Sequence, residues 1–211
     1  MQLKDNNLQK YGQYTRDLFN KLDFNFVAGR RILDVGCGPC TDVEIFINEY
    51  GLDVYGLDIH KHENVAKIPK LKFVEAGILH IPFVDNFFDY VFLHDVLHHV
   101  DEKNQDYATH VAAMRELNRV VKDGGKIIII EGNRYNPLFY PHMVKMLGHN
   151  HWRQSYFKRV VGGVFDNVEF KYFESHLYPA KFLWFWKCYE KIMEHWAPKN
   201  FLAYNVAIIT K

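Results

Sequence analysis

The sequence predicts one doubly wound α/β domain, a mostly parallel sheet with helices on both faces. Short apolar runs alternate with helix-like stretches along most of the chain, which is the signature of that class. One of those runs, Ile32, Leu33 and Val35, breaks directly into a glycine turn, Gly36-Cys37-Gly38. The third observation is size: 211 residues without internal repeats, low-complexity tracts or Pro/Gly/Ser linkers suit a single core.

The run at 32–35 reads as a buried parallel strand, and TDVEIFINEY at 41–50 as the helix after the turn. Gly36 and Gly38 allow the backbone to approach a ligand closely. A second strand-like run, Val54 to Leu57, ends in Asp58, twenty residues after Gly38. A nucleotide-binding fold places a carboxylate for ribose hydroxyls at about that distance. A dinucleotide fingerprint would require glycine at position 41, where this chain has Thr41. Asp34, two residues before Gly36, suits a cationic group better than a pyrophosphate. Both details weaken a nicotinamide-dependent oxidoreductase and favour S-adenosyl-L-methionine, which carries an ammonium and a sulfonium and no phosphate.

With these residues the chain resembles the class I S-adenosylmethionine-dependent methyltransferases of the small-molecule type, over roughly residues 28 to 131. DVGCG at 34–38 looks like the first motif, and LDI at 57–59 like the acidic end of the second strand. IPFVDNFFDYV at 81–91 resembles the approach to the fourth strand, and RVVKDGGKIIII at 119–130 the helix end, turn and fifth strand. The resemblance implies a Rossmann-like seven-stranded sheet whose last strand, NVAIIT at 205–210, is antiparallel. It divides the chain into a lid helix at 1–27, a cofactor-binding core at 28–131, an aromatic cap on the substrate side at 132–200 and a last strand at 201–211. Asp34 is expected to hold the methionine ammonium, Gly36, Cys37 and Gly38 to pass under the cofactor, and Asp58 with Ile59 to meet the ribose. Gly77 and Ile78 fall near the adenine, and His94 at the cofactor side of the fourth strand. S-adenosyl-L-homocysteine would be the product. Tyr11 and Tyr14 would lie over the cofactor, and Glu131 and Asn133 would face the substrate. Two departures stand out: Cys40 replaces the usual third glycine of the opening turn, and Gly77 the usual acidic residue that meets adenine. They leave open a binding protein that retains the cofactor and has lost catalysis.

LHDVLHHV at 93–100 is the most reactive-looking segment, with His94, Asp95, His98 and His99 at a strand end and the first turn of a helix. Helical spacing would pair His94 with His98 and Asp95 with His99. The histidines either shape the pocket wall or supply a base for the acceptor's proton; His99 is the first choice, with Asp95 as its orienting partner and His98 as the alternative. Asp-x-x-His-His also resembles a cluster in some metal-dependent O-methyltransferases, but no fourth ligand is evident, and no metal is expected.

Cys37-Gly-Pro-Cys40 matches a thiol–disulfide signature, yet the preceding Asp-Val-Gly and the acidic strand end at Asp58 favour an adenosine site. A net charge of +1, from 26 basic and 25 acidic residues without a basic block, disfavours nucleic-acid partners. Three cysteines suggest a reducing compartment. The polar start lacks the apolar core of a signal peptide, and no apolar run reaches membrane-spanning length, so a cytoplasmic location is expected. The aromatic stretch around Phe182, Trp184, Phe185, Trp186 and Trp196 would bind a small-molecule or lipid-like acceptor, form a dimer interface, touch a membrane surface or close the core.

Overall fold

The computed structural model describes residues 2–176 and 182–211, with side chains from residue 12 onward. Seven strands form one sheet in the order β3-β2-β1-β4-β5-β7-β6. They are β1 (Arg31–Val35), β2 (Asp53–Asp58), β3 (Lys72–Glu75), β4 (Phe88–His94), β5 (Val121–Gly132), β6 (Val168–Phe173) and β7 (Tyr204–Thr210). The first five pair in parallel; β7 runs antiparallel between β5 and β6. The chain reverses direction in strand order between β1 and β4, so the carboxyl ends of these strands border the crevice where such sheets bind ligands.

Period-two alternation gives the sheet two apolar faces. Leu33, Val35, Val91, Leu93, Ile127 and Ile129 point to one side, against α3 (Tyr107–Val120) and α4 (Gln154–Gly162). Ile32, Val54, Phe92, Ile128 and Ile130 point to the other, against α1 (Gln2–Leu22) and α2 (Thr41–Asn48). Leu18 and Leu22 of α1 are wholly buried, and Phe19 stacks on Phe92 with ring centres 5.5 Å apart. The second half of α1 is therefore part of the core, and it carries Tyr14 to the carboxyl end of β4 and the amino end of the antiparallel β7.

The segment after β4 is not an α-helix. Asp95 turns the chain with φ 55°, Leu97–His99 is a single 3-10 turn, Asp101 has φ 52°, and α3 starts only at Tyr107. Asp106 caps α3 by accepting from the Thr109 amide at 2.9 Å. His94 belongs to the strand and Asp95 to a left-handed turn, so the helical pairings expected from sequence do not form.

Of the aromatic stretch, Trp184 and Trp196 on α5 (Leu183–Trp196) are 73% and 78% exposed. Phe182 and Phe185 are also exposed, so these rings do not close the core; Trp152 does, at the α3–α4 side. No helix among the described residues is long and apolar enough to cross a membrane.

Candidate functional site

A cavity of about 490 Å³ opens at the carboxyl ends of β1, β2 and β4, with a mainly apolar lining. Gly36 forms its floor beneath the Val96 side chain: an added Cβ there would lie 2.4 Å from Val96 Cγ2, and its φ is +72°. Only glycine meets both conditions. Asp58 lines the same cavity, with Oδ2 accepting from the Gly38 amide at 2.9 Å and Oδ1 from the His60 amide at 3.0 Å. Ile59, Gly77 and Ile78 make the wall on the β2–β3 side. Cys40, the residue in place of a third glycine, keeps glycine-like backbone with φ 66° at the start of α2, so the turn retains its course.

Asp34 sits behind this floor, 2% exposed, and its Oδ2 has no hydrogen-bond partner in the structure. Burial drives its pKa well above the carboxylate range, and the negative neighbour Asp42 pushes in the same direction. A buried carboxylate left in that condition is costly unless a cation or donor arrives. Cys37 and Cys40 are buried free thiols beside it. Their mutual hydrogen bond pushes the Cys37 thiol up, together with burial, and the Cys40 thiol down.

Next to Asp34 lies a polar knot that joins four elements. His94 Nδ1 hydrogen-bonds Asp42 Oδ2 at 3.0 Å, and His94 Nε2 lies 3.5 Å from the Tyr14 hydroxyl and 3.8 Å from Asp95. Burial disfavours the imidazolium, but Asp42, Asp95 and Asp34 outweigh it and raise the His94 pKa to about 9. The Tyr14 and Tyr204 hydroxyls hydrogen-bond each other, and both are raised well above the phenol range by burial and by Asp95. Tyr11 lies among the residues whose side chains are outside those described.

Asp95 and His99 line the cavity from the β4 side. They are not partners: Asp95 Oδ1 accepts from the Gly132 amide at 2.7 Å, whereas His99 Nδ1 faces Glu102 Oε2 at 3.2 Å. Burial opposes ionisation of Asp95, yet His94, His98 and His151 hold its carboxyl below the usual range. His98 is buried and hydrogen-bonds Glu131 Oε2 through Nδ1 at 2.8 Å. Glu131 is itself fully buried and also accepts from the Val96 and Leu97 amides at 2.9 and 2.5 Å. Asn133 is equally buried, donating to the Asn200 and Leu202 carbonyls. Glu131 fastens the turn at Val96–Leu97 that borders the cavity, and Asn133 ties the end of β5 to the segment before β7.

Sequence reasoning missed Asp42, Glu102, His151 and Tyr204. Asp42 reads as an ordinary acidic residue of a first helical turn, and Tyr204 lies 190 residues from its partner Tyr14. His149-Asn-His151 carries the one local signal that was there to use.

Residues 33–129 match the family model described as "Methyltransferase domain". A demethylmenaquinone methyltransferase from Geobacillus sp. (strain WCH70) is 34% identical over 117 residues, covering 51% of this chain and 47% of that protein. The chain thus spans about half the length of the curated relatives it matches. A SAM-dependent methyltransferase from Archaeoglobus fulgidus superposes with TM-score 0.65 at 18% identity, over 96% of this chain and 93% of that one. A Haloferax volcanii methyltransferase, solved in complex with the Trm112 methyltransferase activator, gives TM-score 0.69 at 15% identity over 99% and 94% of the two chains.

Proposed function

We propose that this chain, which carries a class I S-adenosylmethionine-dependent methyltransferase domain, transfers the methyl group of S-adenosyl-L-methionine to a small-molecule or lipid-like acceptor and releases S-adenosyl-L-homocysteine. The observation that carries the reading is Asp34. Its buried, unpartnered Oδ2 beside a glycine floor fits a cationic amino-acid ammonium and does not fit a phosphate.

When bound, S-adenosyl-L-methionine supplies a methyl group already activated on a sulfonium, so the protein's work is alignment and exclusion of water. Asp34 holds the ammonium and Asp58 accepts from the ribose hydroxyls, since a carboxylate has lone pairs beyond those facing Gly38 and His60. Gly36, Cys37 and Gly38 lend backbone to the cofactor's underside. Ile59, Gly77 and Ile78 contact the adenine through apolar surface and main chain, in place of an acidic side chain. His94 and Tyr14 close the methionine end, with residues 1–27 as the lid segment over the cofactor, anchored in the core by Leu18 and Leu22, and the region 132–200 as the substrate-side cap. His99, half-exposed on the cavity wall and oriented by Glu102, takes the proton that the acceptor gives up on methylation at oxygen, nitrogen or carbon.

The names of the relatives favour a ring-bearing acceptor of the demethylmenaquinone kind. The test is incubation with methyl-labelled S-adenosyl-L-methionine and a reduced demethylmenaquinone, followed by solvent extraction. Label in the organic phase, absent with Asp34→Asn, supports the assignment. Tight cofactor binding with no label in that acceptor or in any fraction of a metabolite mixture identifies a binding protein without catalysis.

A further inference from the structure

We propose that Asp95, His98 and His151 form a binding site for a divalent first-row transition-metal ion, Zn²⁺ foremost, in the wall of the cavity. The inference does not depend on what the chain methylates. One carboxylate oxygen of Asp95 and one ring nitrogen from each histidine all lie within 4.8 Å of one another. Two imidazoles and a carboxylate are a donor set that holds zinc in sites that keep an open position.

His151 is the second observation. It is 3% exposed, and neither of its ring nitrogens has a hydrogen-bond partner. Its ring is packed 4.2 Å from that of His98, and Nδ1 is only 2.7 Å from where a Cβ on Gly132 would stand. A buried imidazole with two idle nitrogens has no structural explanation among the surrounding contacts, whereas a metal uses one of them.

The surrounding bonds orient the donors as metal sites require. Glu131 engages His98 at Nδ1, at 2.8 Å, which leaves Nε2 as the ligating nitrogen. The Gly132 amide holds Asp95 Oδ1 at 2.7 Å, while Tyr204 reaches Oδ2 only at 3.4 Å. Asp95 is also a wall residue of the cavity, with His98 and His151 buried behind it.

A competing group shares His98 and adds His99 and His149. Both of those lie closer to solvent, and Glu102 serves them, facing His99 Nδ1 at 3.2 Å and His149 Nδ1 at 3.7 Å. The buried group therefore has the unexplained donors and the exposed one does not.

The experiment loads chelator-treated full chain with Zn²⁺ alone by calorimetry and with Co²⁺ by visible absorption. One equivalent of Zn²⁺ is expected, with Co²⁺ bands of a low-coordinate nitrogen and oxygen site. His151→Ala and Asp95→Asn should each weaken Zn²⁺ at least tenfold, while His149→Ala changes it less than threefold. X-ray absorption of zinc-loaded wild type, which needs no variant, should show two imidazoles. Failure of the wild type to bind, loss of binding in His149→Ala with retention in His151→Ala, or a spectrum without two imidazoles would each overturn the proposal.

Discussion

Replacing Gly36 with alanine tests the geometry of the cavity floor in isolation. Two penalties are built in: a left-handed backbone, φ +72°, and a Cβ placed 2.4 Å from Val96 Cγ2 and 3.0 Å from Cγ1. The first costs a non-glycine residue about 1–2 kcal/mol, and forced overpacking typically about 1–3 kcal/mol. Gly36→Ala should thus lose roughly 2–5 kcal/mol in ligand-free urea unfolding, the sum of those two ranges. At ~2–4 °C per kcal/mol for a domain of this size, the melting temperature should fall by at least about 4 °C. Val96→Ala removes the two clashing methyl groups but cannot relieve the backbone. The double variant should therefore recover part of the loss, with a coupling of about 1 kcal/mol or more, while the remainder persists. Additivity of the two substitutions, or no destabilisation by Gly36→Ala, would refute the placement of Val96 over the turn.

Three further outcomes are expected. Asp34→Asn removes a buried, unpartnered carboxylate, so the ligand-free protein should melt at the same or a higher temperature while S-adenosyl-L-homocysteine binding weakens at least tenfold; a drop in both would mean that the charge stabilises the empty fold. His94 has a folded-state pKa near 9 against roughly 6.5 when unfolded. Its contribution is complete below about pH 6.5 and is lost as pH rises through about 9, so the stability gap between wild type and His94→Gln should narrow over that interval; a widening gap contradicts the Asp42 pairing. Iodoacetamide should label the exposed Cys188 first and reach the buried Cys37 and Cys40 only when denaturant opens the fold, which peptide mapping by mass spectrometry resolves.

The sheet was legible because its cues are local. Ile32–Val35, Val54–Asp58 and Asn205–Thr210 carry their own apolar runs, and the turn at Gly36 is written in the residues that make it. The antiparallel β7 followed from the family resemblance and is present, bounded by Tyr204 and Thr210. β6 was not foreseen, since Val168–Phe173 mixes Glu169 and Lys171 into a strand at the sheet edge, where polar residues are ordinary. His94 stands at the strand end as expected, but the helical pairings of His94 with His98 and Asp95 with His99 do not form, because the course after the strand is set from outside. Glu131, more than thirty residues on, captures the Val96 and Leu97 amides, and Asp95 takes a left-handed turn that aspartate tolerates better than most residues. The same distance effect hid the partners of the histidines. His99 and Asp95 look paired in sequence, but strand and loop placement give one to Glu102 and the other to Gly132.

The most direct test of the methyltransferase reading is calorimetric titration of S-adenosyl-L-methionine and S-adenosyl-L-homocysteine into the reduced chain, with NADH as the control and Asp58→Ala alongside. The account predicts one equivalent of each sulfur cofactor, no heat from NADH, and affinity at least tenfold weaker in the variant. A wild-type chain that binds neither sulfur cofactor, or that binds NADH instead, would contradict it.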